Sequence, residues 1–481
     1  MPIISLTVML FLLCVCQVNL TILKDAVVLT ANPQGAKAIP FIQVWGLLPC
    51  AFLMTTLFTK LRDTFGRKNA SFLIVGFFLS FFLLFAFVLF PNEEMLKLSK
   101  VAFFLDLSLP KSFKPLVSVI EHWPLTIYYV MSDLWMCMIL GLFFWGFVNE
   151  HTRPNQAKKY YGYLQFGGTI SAYFAGSIGN FLIQEVYNPK IPFGSTAWEQ
   201  TLCKVTLLIV FFGLISLVLY HRVYGKMAKV EVKSEKSKDL SIREGMTTVF
   251  KSPYLMAMFM LVLGYSLVYS TSDLLWKSKL REIYPDPNDI VRLTNGIMQV
   301  VGAISIVATL FIPYFIKRYG VTFLALITPV VFLPTSVILF GSYFWGEQIV
   351  QWFQFDFPAH NLVIYSGAVM VCFGKAAKFS VFDVSKEMAY TPLDPEDKWH
   401  AKAAIDGVGK SMGITSSNLT HQAFLLSFGS IAVCAPYFAS FVFFMLFAWI
   451  VAAVRIGRGF HAMSEETSEI EDMPESIVAV E

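Results

Sequence analysis

The sequence predicts an all-α membrane protein with twelve transmembrane helices in two six-helix bundles. Hydrophobic residues make up 56% of its 481 residues, charged residues make up 15%, and the mean hydropathy is +0.61. This composition leaves too little polar surface for a water-soluble protein of that length. The apolar residues form runs of about 20, the length that one helix needs to cross the hydrocarbon core. A single long polar stretch divides these runs six and six.

The first run begins directly after Met1-Pro2, without the basic segment of a secretory signal, so we interpret it as a retained span. The eleventh run is the most polar of the set. By the length rule, the predicted spans are about 3–30, 38–59, 70–90, 124–149, 160–184, 204–224, 254–276, 292–317, 321–346, 361–385, 401–421 and 424–455.

The polar stretch 225–251 predicts a linker between an N-terminal bundle at 1–224 and a C-terminal bundle at 252–457. The acidic segment 458–481 is expected to be a disordered tail, because it has little apolar content. Basic residues are concentrated in this linker and in the loop 60–69, which predicts that these loops and both chain termini are cytoplasmic.

The two halves resemble each other at one turn. "LFTKLRDTFGRKNASFLIV" follows span two and "LFIPYFIKRYGVTFLAL" follows span eight, and both place a basic pair and a glycine at a tight turn. The first segment resembles the loop between spans two and three of the major facilitator superfamily. That resemblance implies a cytoplasmic gate formed by Asp63, Arg67 and Lys68. The alternative is a basic loop that only sets orientation.

Ionisable residues inside the spans are few. They lie in spans one, four, seven and ten, which line the central cavity in a major facilitator arrangement. A cation near the centre of a span costs about 2.5–3.5 kcal/mol on insertion scales, so each is a functional hypothesis. Two alternatives stay open: Lys24 extends to the headgroups, or internal Asp–Lys pairs only hold the bundles together. The residues are Lys24, Asp25, Asp133, Asp273, Lys375 and Lys378.

Lys375 and Lys378 are three residues apart and therefore share one face of a helix. Two ammonium groups on one face repel each other unless an anion neutralises them, and phosphate oxygens suit lysine ammonium groups. A polyphosphate is thus the favoured ligand. Nearby aromatic residues are candidates for stacking on a base, with simple packing as the alternative; they are Tyr129, Trp135 and Trp276.

Three features of the sequence do not indicate a nucleotide-binding loop, a catalytic residue or a metal site. "GVGKSMG" lacks the first glycine and the preceding strand of a phosphate-binding loop, and His400 has no partner nucleophile. The seven cysteines have no metal-ligand spacing and are interpreted as small hydrophobes. We therefore predict a protein that is not an enzyme, needs no cofactor or metal, and binds no nucleic acid.

Four segments, in order along nearly the whole chain, resemble the bacterial-type ATP/ADP translocases, the nucleotide transporter family of intracellular bacteria and plastids. They are "KDAVVLTANPQGAKAIPFIQVW", "FWGFVNEHTRPNQAKKYYGYL", "LLWKSKL" and "AKFSVFDVSKEMAYTPLDPEDKWHAKAAID". The resemblance implies exchange of ATP for ADP, or import of nucleotides with protons as in some relatives. It also implies a bacterial inner membrane as the location.

Lys24 falls on the first-span lysine that the family requires. Asp133 and Asp273 fall where the family usually has Glu, which shortens the reach of each carboxylate by about 1.5 Å. The family's span-eleven lysine is matched by Ile414, while the local Gly-Lys-Ser places Lys410 about one helical turn earlier. Lys410 is therefore a candidate ligand, or the charge is lost.

These observations predict a monomeric nucleotide transporter that binds ATP and ADP through Lys24, Lys378 and either Lys410 or Lys375 and works by alternating access. Asp133 and Asp273 would pair with these lysines in the empty site or carry protons. The alternatives are proton-coupled import of nucleoside triphosphates or of another nucleotide such as NAD, and a facilitator for a different organic phosphate.

Overall fold

A computed structural model describes residues 2–152, 154–227, 242–393 and 401–471, without a few side chains inside these ranges, Lys410 among them. The described backbone is helical almost throughout and contains no β-strand. His400, the centre of the predicted linker and the end of the predicted acidic tail lie outside the described residues.

The first part of the chain forms long helices that are interrupted by a group of three short ones. Pro33 follows α1, where its ring cannot continue the helix, and Gly35 has a φ of 51° at the turn into α2. The helices are α1 (Ile3–Ala31), α2 (Gly35–Leu89), α3 (Glu93–Leu96), α4 (Ser99–Ser108), α5 (Lys114–Glu121), α6 (Trp123–Glu150), α7 (Pro154–Leu182) and α8 (Ala197–Met227).

The second part begins with a short amphipathic helix and continues with long ones. Proline occupies the first position of α10 and of α11, where its missing N–H costs no helical hydrogen bond. The helices are α9 (Ile242–Lys251), α10 (Pro253–Ile283), α11 (Pro287–Phe353), α12 (Ala359–Ala389), α13 (Lys410–Phe428) and α14 (Ile431–Glu471).

Helices α2 and α11 are too long for one membrane crossing. The 67 residues of α11 would span about 100 Å at 1.5 Å per residue, against a hydrocarbon core of about 30 Å. Each helix is broken by a glycine in the left-handed region, Gly66 with φ 75° and Gly320 with φ 72°. Both glycines lie at the two places where the sequence predicts a tight turn. Their positive φ values confirm that the chain turns tightly there.

Nine helical segments in the described part of the chain are long and apolar enough to cross a membrane, and α11 supplies two of them, Pro287–Ile312 and Tyr314–Phe353. Predicted spans two and three both fall in α2, and predicted spans five and eleven fall on helices outside this set. The structure therefore confirms an all-α membrane protein, while the count of twelve crossings stays a prediction.

The helices form two compact units whose segments alternate along the chain. Among the described residues, unit 1 contains 2–227, 274–303 and 418–434, and unit 2 contains 242–273, 304–417 and 435–471. The predicted bundle boundaries at 224 and 252 stay a prediction.

Each unit has an aromatic core. In unit 1 the rings of Phe85 and Tyr128 stack at 3.9 Å, and Trp135 packs against Phe78 and Phe82. In unit 2 the core contains Tyr265, Phe332, Phe382 and Trp449, with ring centroids 5.1–6.1 Å apart. Such edge and offset contacts add to the burial of large apolar surfaces and hold the surrounding helices at fixed positions.

Candidate functional site

Helix α1 carries two charged residues in its buried stretch. Lys24 and Asp25 are only 4% and 9% exposed, and they lie nearly two turns before α1 ends at Ala31. The Lys24 ammonium is 3.0 Å from an oxygen of Asp133 on α6 and 3.6 Å from one of Asp25. Lys24 thus points to buried carboxylates in the structure and not to the headgroups. The alternative of internal Asp–Lys pairs expects the same contacts, so a functional role of Lys24 stays a prediction.

A second lysine completes this group. The Lys277 ammonium on α10 lies 2.8 Å from the other carboxylate oxygen of Asp25, and its side chain is 12% exposed. Lys24, Asp25, Asp133 and Lys277, here called the four-charge cluster, contain two positive and two negative groups. Their formal charges cancel, as buried ions in a membrane protein require.

Tyr129 on α6 forms one wall of the four-charge cluster. The Lys24 ammonium lies 3.7 Å from the centroid of its ring, well within cation–π range. Its hydroxyl accepts a hydrogen bond from Gln43 Nε2 at 3.2 Å, and Asn418 Nδ2 donates to Gln43 Oε1 at 2.5 Å. A chain of polar contacts therefore links α13 through α2 and α6 to Lys24.

Further contacts in unit 1 join 274–303 and 418–434 to the turn between α1 and α2. Arg281 Nη1 donates to the carbonyl oxygens of Asn32 at 2.8 Å and Pro33 at 2.9 Å. Gln422 Nε2 donates to Pro40 O at 3.0 Å and accepts from Trp45 Nε1 at 3.1 Å. These contacts hold the end of α10 at the turn after α1 and the second half of α13 against the start of α2.

The two tryptophans predicted to stack on a base are buried. Trp135 is fully buried, donates its Nε1–H to Leu13 O at 3.3 Å and packs in the aromatic core of unit 1. Trp276 is 2% exposed. The geometry favours packing for Trp135 and leaves Tyr129 as the aromatic ring that contacts a charged residue of the cluster. Base stacking stays a prediction.

Unit 2 brings together a second set of predicted residues. The Lys378 ammonium lies 3.0 Å from the Asp383 carboxylate. Lys378 begins the π-helical segment Lys378–Phe382 of α12, and Asp383 follows it directly. The Tyr269 hydroxyl lies 3.5 Å from Asp273, and the Lys375 ammonium lies 5.9 Å from the Tyr269 ring. We call Asp273, Lys375, Lys378 and Asp383 the second cluster. It also holds two lysines and two aspartates.

Toward the end of α12 the charged residues form structural pairs. Lys386 lies 2.7 Å from Asp406, and the Tyr390 hydroxyl donates to the same carboxylate at 3.4 Å. Burial raises the pKa of Tyr390, just beyond α12, and the Asp406 carboxylate raises it further, so the phenol keeps its proton as the donor. The Lys410 side chain lies outside the described residues, and its role as a ligand stays a prediction.

The predicted gate lies at the reversal in α2. Arg67, directly after Gly66, makes a close ion pair with Glu150 at the end of α6 and donates to Leu142 O at 3.1 Å. Asp63 is mostly exposed, 3.9 Å from Arg62. Glu150 was not identified from the sequence, although "FVNEHTR" places an acid at the end of span four. A role for Asp63, Arg67 and Lys68 as a gate stays a prediction.

The sequence analysis did not identify three residues in or beside the four-charge cluster. Lys277 lies in "LLWKSKL", one residue beyond predicted span seven and four residues after Asp273. This spacing of about one helical turn from an in-span charge was the available signal. Gln43 and Asn418 are uncharged, and polar amides inside spans give no comparable signal. Asp25 was identified as an in-span charge but not as the bridge between two lysines.

The chain is similar to known proteins over nearly its whole length. The chain is 30% identical over 478 residues to "ADP,ATP carrier protein 2" of Chlamydia trachomatis serovar D, covering 95% of this chain and 88% of that protein. It is 31% identical over 461 residues to "ADP,ATP carrier protein 2, chloroplastic" of Arabidopsis thaliana, covering 94% of this chain and 74% of that protein.

Among solved structures, a bacterial homologue of the iron transporter ferroportin in an inward-facing state matches with a TM-score of 0.56 and 16% identity, covering 95% of this chain and 98% of that one. This likeness shows the fold and confirms a major-facilitator-like architecture. A family model described as "TLC ATP/ADP transporter" matches residues 1–460. The chain therefore belongs to the TLC ATP/ADP transporter family, a family of transporters rather than enzymes.

Proposed function

We propose that this protein exchanges ATP for ADP across the membrane, and that Lys24 and Lys277 hold the polyphosphate. The observation that carries the proposal is the four-charge cluster, in which two buried ammonium groups, those of Lys24 and Lys277, form ion pairs with Asp25 and Asp133. The names of the relatives, which are ADP,ATP carrier proteins, support adenine nucleotides as the substrates.

The chemistry of the cluster supports binding of a multiply charged anion. Phosphate oxygens accept short, charge-assisted hydrogen bonds from ammonium groups, so a polyphosphate competes directly with the two carboxylates. When it binds, Asp25 and Asp133 lose their partners at Lys277 and Lys24. Tyr129 keeps the Lys24 ammonium in place from the opposite side through its ring.

This competition gives a physical reason for exchange. In the empty site, Asp25 joins α1 to α10 and Asp133 joins α6 to α1 through lysine pairs. Breaking such buried pairs without a replacement leaves uncompensated charge, which costs several kcal/mol, on the order of 3–5. A nucleotide supplies the replacement, so the helices rearrange readily only when a nucleotide is bound.

The proposed mechanism is alternating access by the two predicted bundles, 1–224 and 252–457, in a monomer. Lys378 and Lys375 of the second cluster are proposed as further phosphate ligands. Lys378 pairs with Asp383 as Lys24 pairs with Asp133, and the Lys375 ammonium lies 5.9 Å from the ring of Tyr269, whose hydroxyl contacts Asp273. The proposed location is a bacterial inner membrane with both chain termini cytoplasmic, which the basic turns beside Gly66 and Gly320 support.

Proteoliposomes test the exchange directly. Vesicles loaded with ADP should take up labelled ATP, whereas empty vesicles and vesicles loaded with AMP should take up little. Equal uptake by loaded and empty vesicles would contradict exchange. A parallel set of vesicles with an imposed pH gradient distinguishes exchange from proton-coupled import. Proton-coupled import would be accelerated by the gradient even in empty vesicles.

A further inference from the structure

Unit 2 contains an apolar groove of about 380 Å³. Its walls come from α11 on both sides of the Gly320 turn and from α12. The volume lies within the range of small-molecule sites, about 300–1,000 Å³. The lining residues include Ala308, Phe311, Phe315, Leu324, Ile327 and Val381.

The groove suits hydrocarbon rather than water or a nucleotide. Its lining side chains offer no polar partner, and a water molecule needs several. Neighbouring apolar side chains on the same helix are exposed, Leu310 by 71%, Tyr314 by 55% and Phe323 by 39%. In a membrane protein such side chains are covered by acyl chains, so the groove opens toward the bilayer.

Positive charge lies at one end of the groove. Arg318 follows Phe315 by three residues and therefore continues the groove-lining face of α11, about 4.5 Å further along the axis. Lys317 is its neighbour, and both are exposed. The Arg318 guanidinium lies 5.6 Å from the Tyr319 ring.

Helix α14 adds one cation, Arg458, near the same turn. A Cβ placed on Gly320 would lie 4.0 Å from His461 Nε2, so the end of α14 passes beside the reversal. Arg458, one turn earlier on α14, is exposed. An apolar channel that ends at a group of cations near a membrane surface matches a lipid with a negatively charged headgroup.

We propose that this groove binds one anionic phospholipid, with an acyl chain between α11 and α12 and the headgroup phosphate at Lys317 and Arg318. Arginine and lysine together suit this ligand, since the guanidinium binds phosphate oxygens in a bidentate way and the ammonium acts as a point charge. The acyl chain contacts Val381, which belongs to the π-helical segment that also carries Lys378.

Native mass spectrometry tests the proposal without reference to transport. The protein is reconstituted in nanodiscs of equimolar phosphatidylglycerol and phosphatidylcholine and then released into detergent. The wild type should retain one phosphatidylglycerol, enriched about tenfold over phosphatidylcholine, the order expected for two cations near a membrane surface. Ala308→Phe, which fills the groove, should lose the bound lipid of either class.

Lys317→Gln combined with Arg318→Gln should abolish the enrichment while leaving the fold intact, because both side chains are exposed. Arg222→Gln combined with Lys226→Gln is the matched control, since it removes two exposed cations near the end of α8. The control should keep the enriched lipid. Loss of the lipid in both double variants, or retention in both, would overturn the proposal, and so would a wild type that retains the two lipids equally.

Discussion

The ammonium of Lys277 lies 2.8 Å from Asp25, the residue next to Lys24 on α1. Asp25 therefore stands between two lysines from different helices, and Asp133 holds the first of them at 3.0 Å. Buried charges such as these two lysines and two aspartates are stable only while each keeps a partner. A polyphosphate is a partner that can replace both carboxylates at once.

Lys277→Ala should weaken ATP binding by about 10- to 100-fold, since it removes a charge-assisted contact to the polyphosphate. The loss should be much smaller for AMP, which has one phosphate. Isothermal titration of the purified protein with both nucleotides measures this. A loss of equal size for ATP and AMP would assign Lys277 to general structure rather than to the polyphosphate.

Asp133→Asn should tighten ATP binding, because the carboxylate that competes for Lys24 is removed. The same variant should slow exchange. When the nucleotide leaves, Lys24 no longer finds the Asp133 carboxylate as a partner, so release costs more free energy. Titration and counterflow measure the two effects, with Asp106→Asn, an exposed acid on α4, as the control. Weaker ATP binding in Asp133→Asn would contradict competition between carboxylate and phosphate.

Tyr129→Leu should reduce ATP affinity by about 2- to 30-fold through loss of the cation–π contact with Lys24. Tyr129→Phe keeps the ring and loses only the hydrogen bond with Gln43, so its affinity should stay close to that of the wild type. The dissociation constants of the two variants for ATP show whether the ring or the hydroxyl of Tyr129 supports binding. If Phe and Leu weaken binding alike, the hydroxyl rather than the ring supports the site.

Gly176→Ala should destabilise the protein by about 1–3 kcal/mol through overpacking. A Cβ at Gly176 would collide with the backbone oxygen of Asn295 and lie 3.0 Å from Gln299 N, whereas nothing lies within 4 Å of one at Gly76. Gly76→Ala is therefore the matched control and should be neutral or slightly stabilising. Unfolding in mixed micelles measures both, and equal stabilities would disprove close packing of α7 on α11.

Much of the fold follows from the sequence because bilayer thickness ties apolar runs to helices. The reversals at Gly66 and Gly320 were predictable, since a basic pair beside glycine marks a turn at the membrane surface. The three short helices from Glu93 to Glu121 were not, because they are too short and too mixed in polarity to produce a periodic signal. The π-helical segments have the same hydropathy as the α-helices around them and leave no trace in composition.

The site was predictable only in part, for a related reason. Lys24 and Asp133 stand out as charges inside apolar runs, and the structure places them together. Lys277 lies close to other charges near the end of its helix, so from the sequence alone it resembles a surface residue. Gln43 and Asn418 enter through tertiary contacts between distant helices, which hydropathy does not encode.

Variants of Lys24 address the central claim, and their effect on folding must be separated from their effect on binding. Lys24→Ala leaves Asp133 without its principal partner, so the double variant Lys24→Gln with Asp133→Asn, which removes both charges, serves as the check on stability. Lys279→Ala is the matched control, because Lys279 is more exposed and pairs locally with Glu282 at 2.7 Å.

The most direct measurement is the ATP dissociation constant of these three variants beside the wild type. The account predicts that Lys24→Ala and the neutral double variant each lose at least about tenfold in affinity while Lys279→Ala does not. A folded double variant that binds ATP as tightly as the wild type would show that the Lys24 ammonium does not hold the nucleotide.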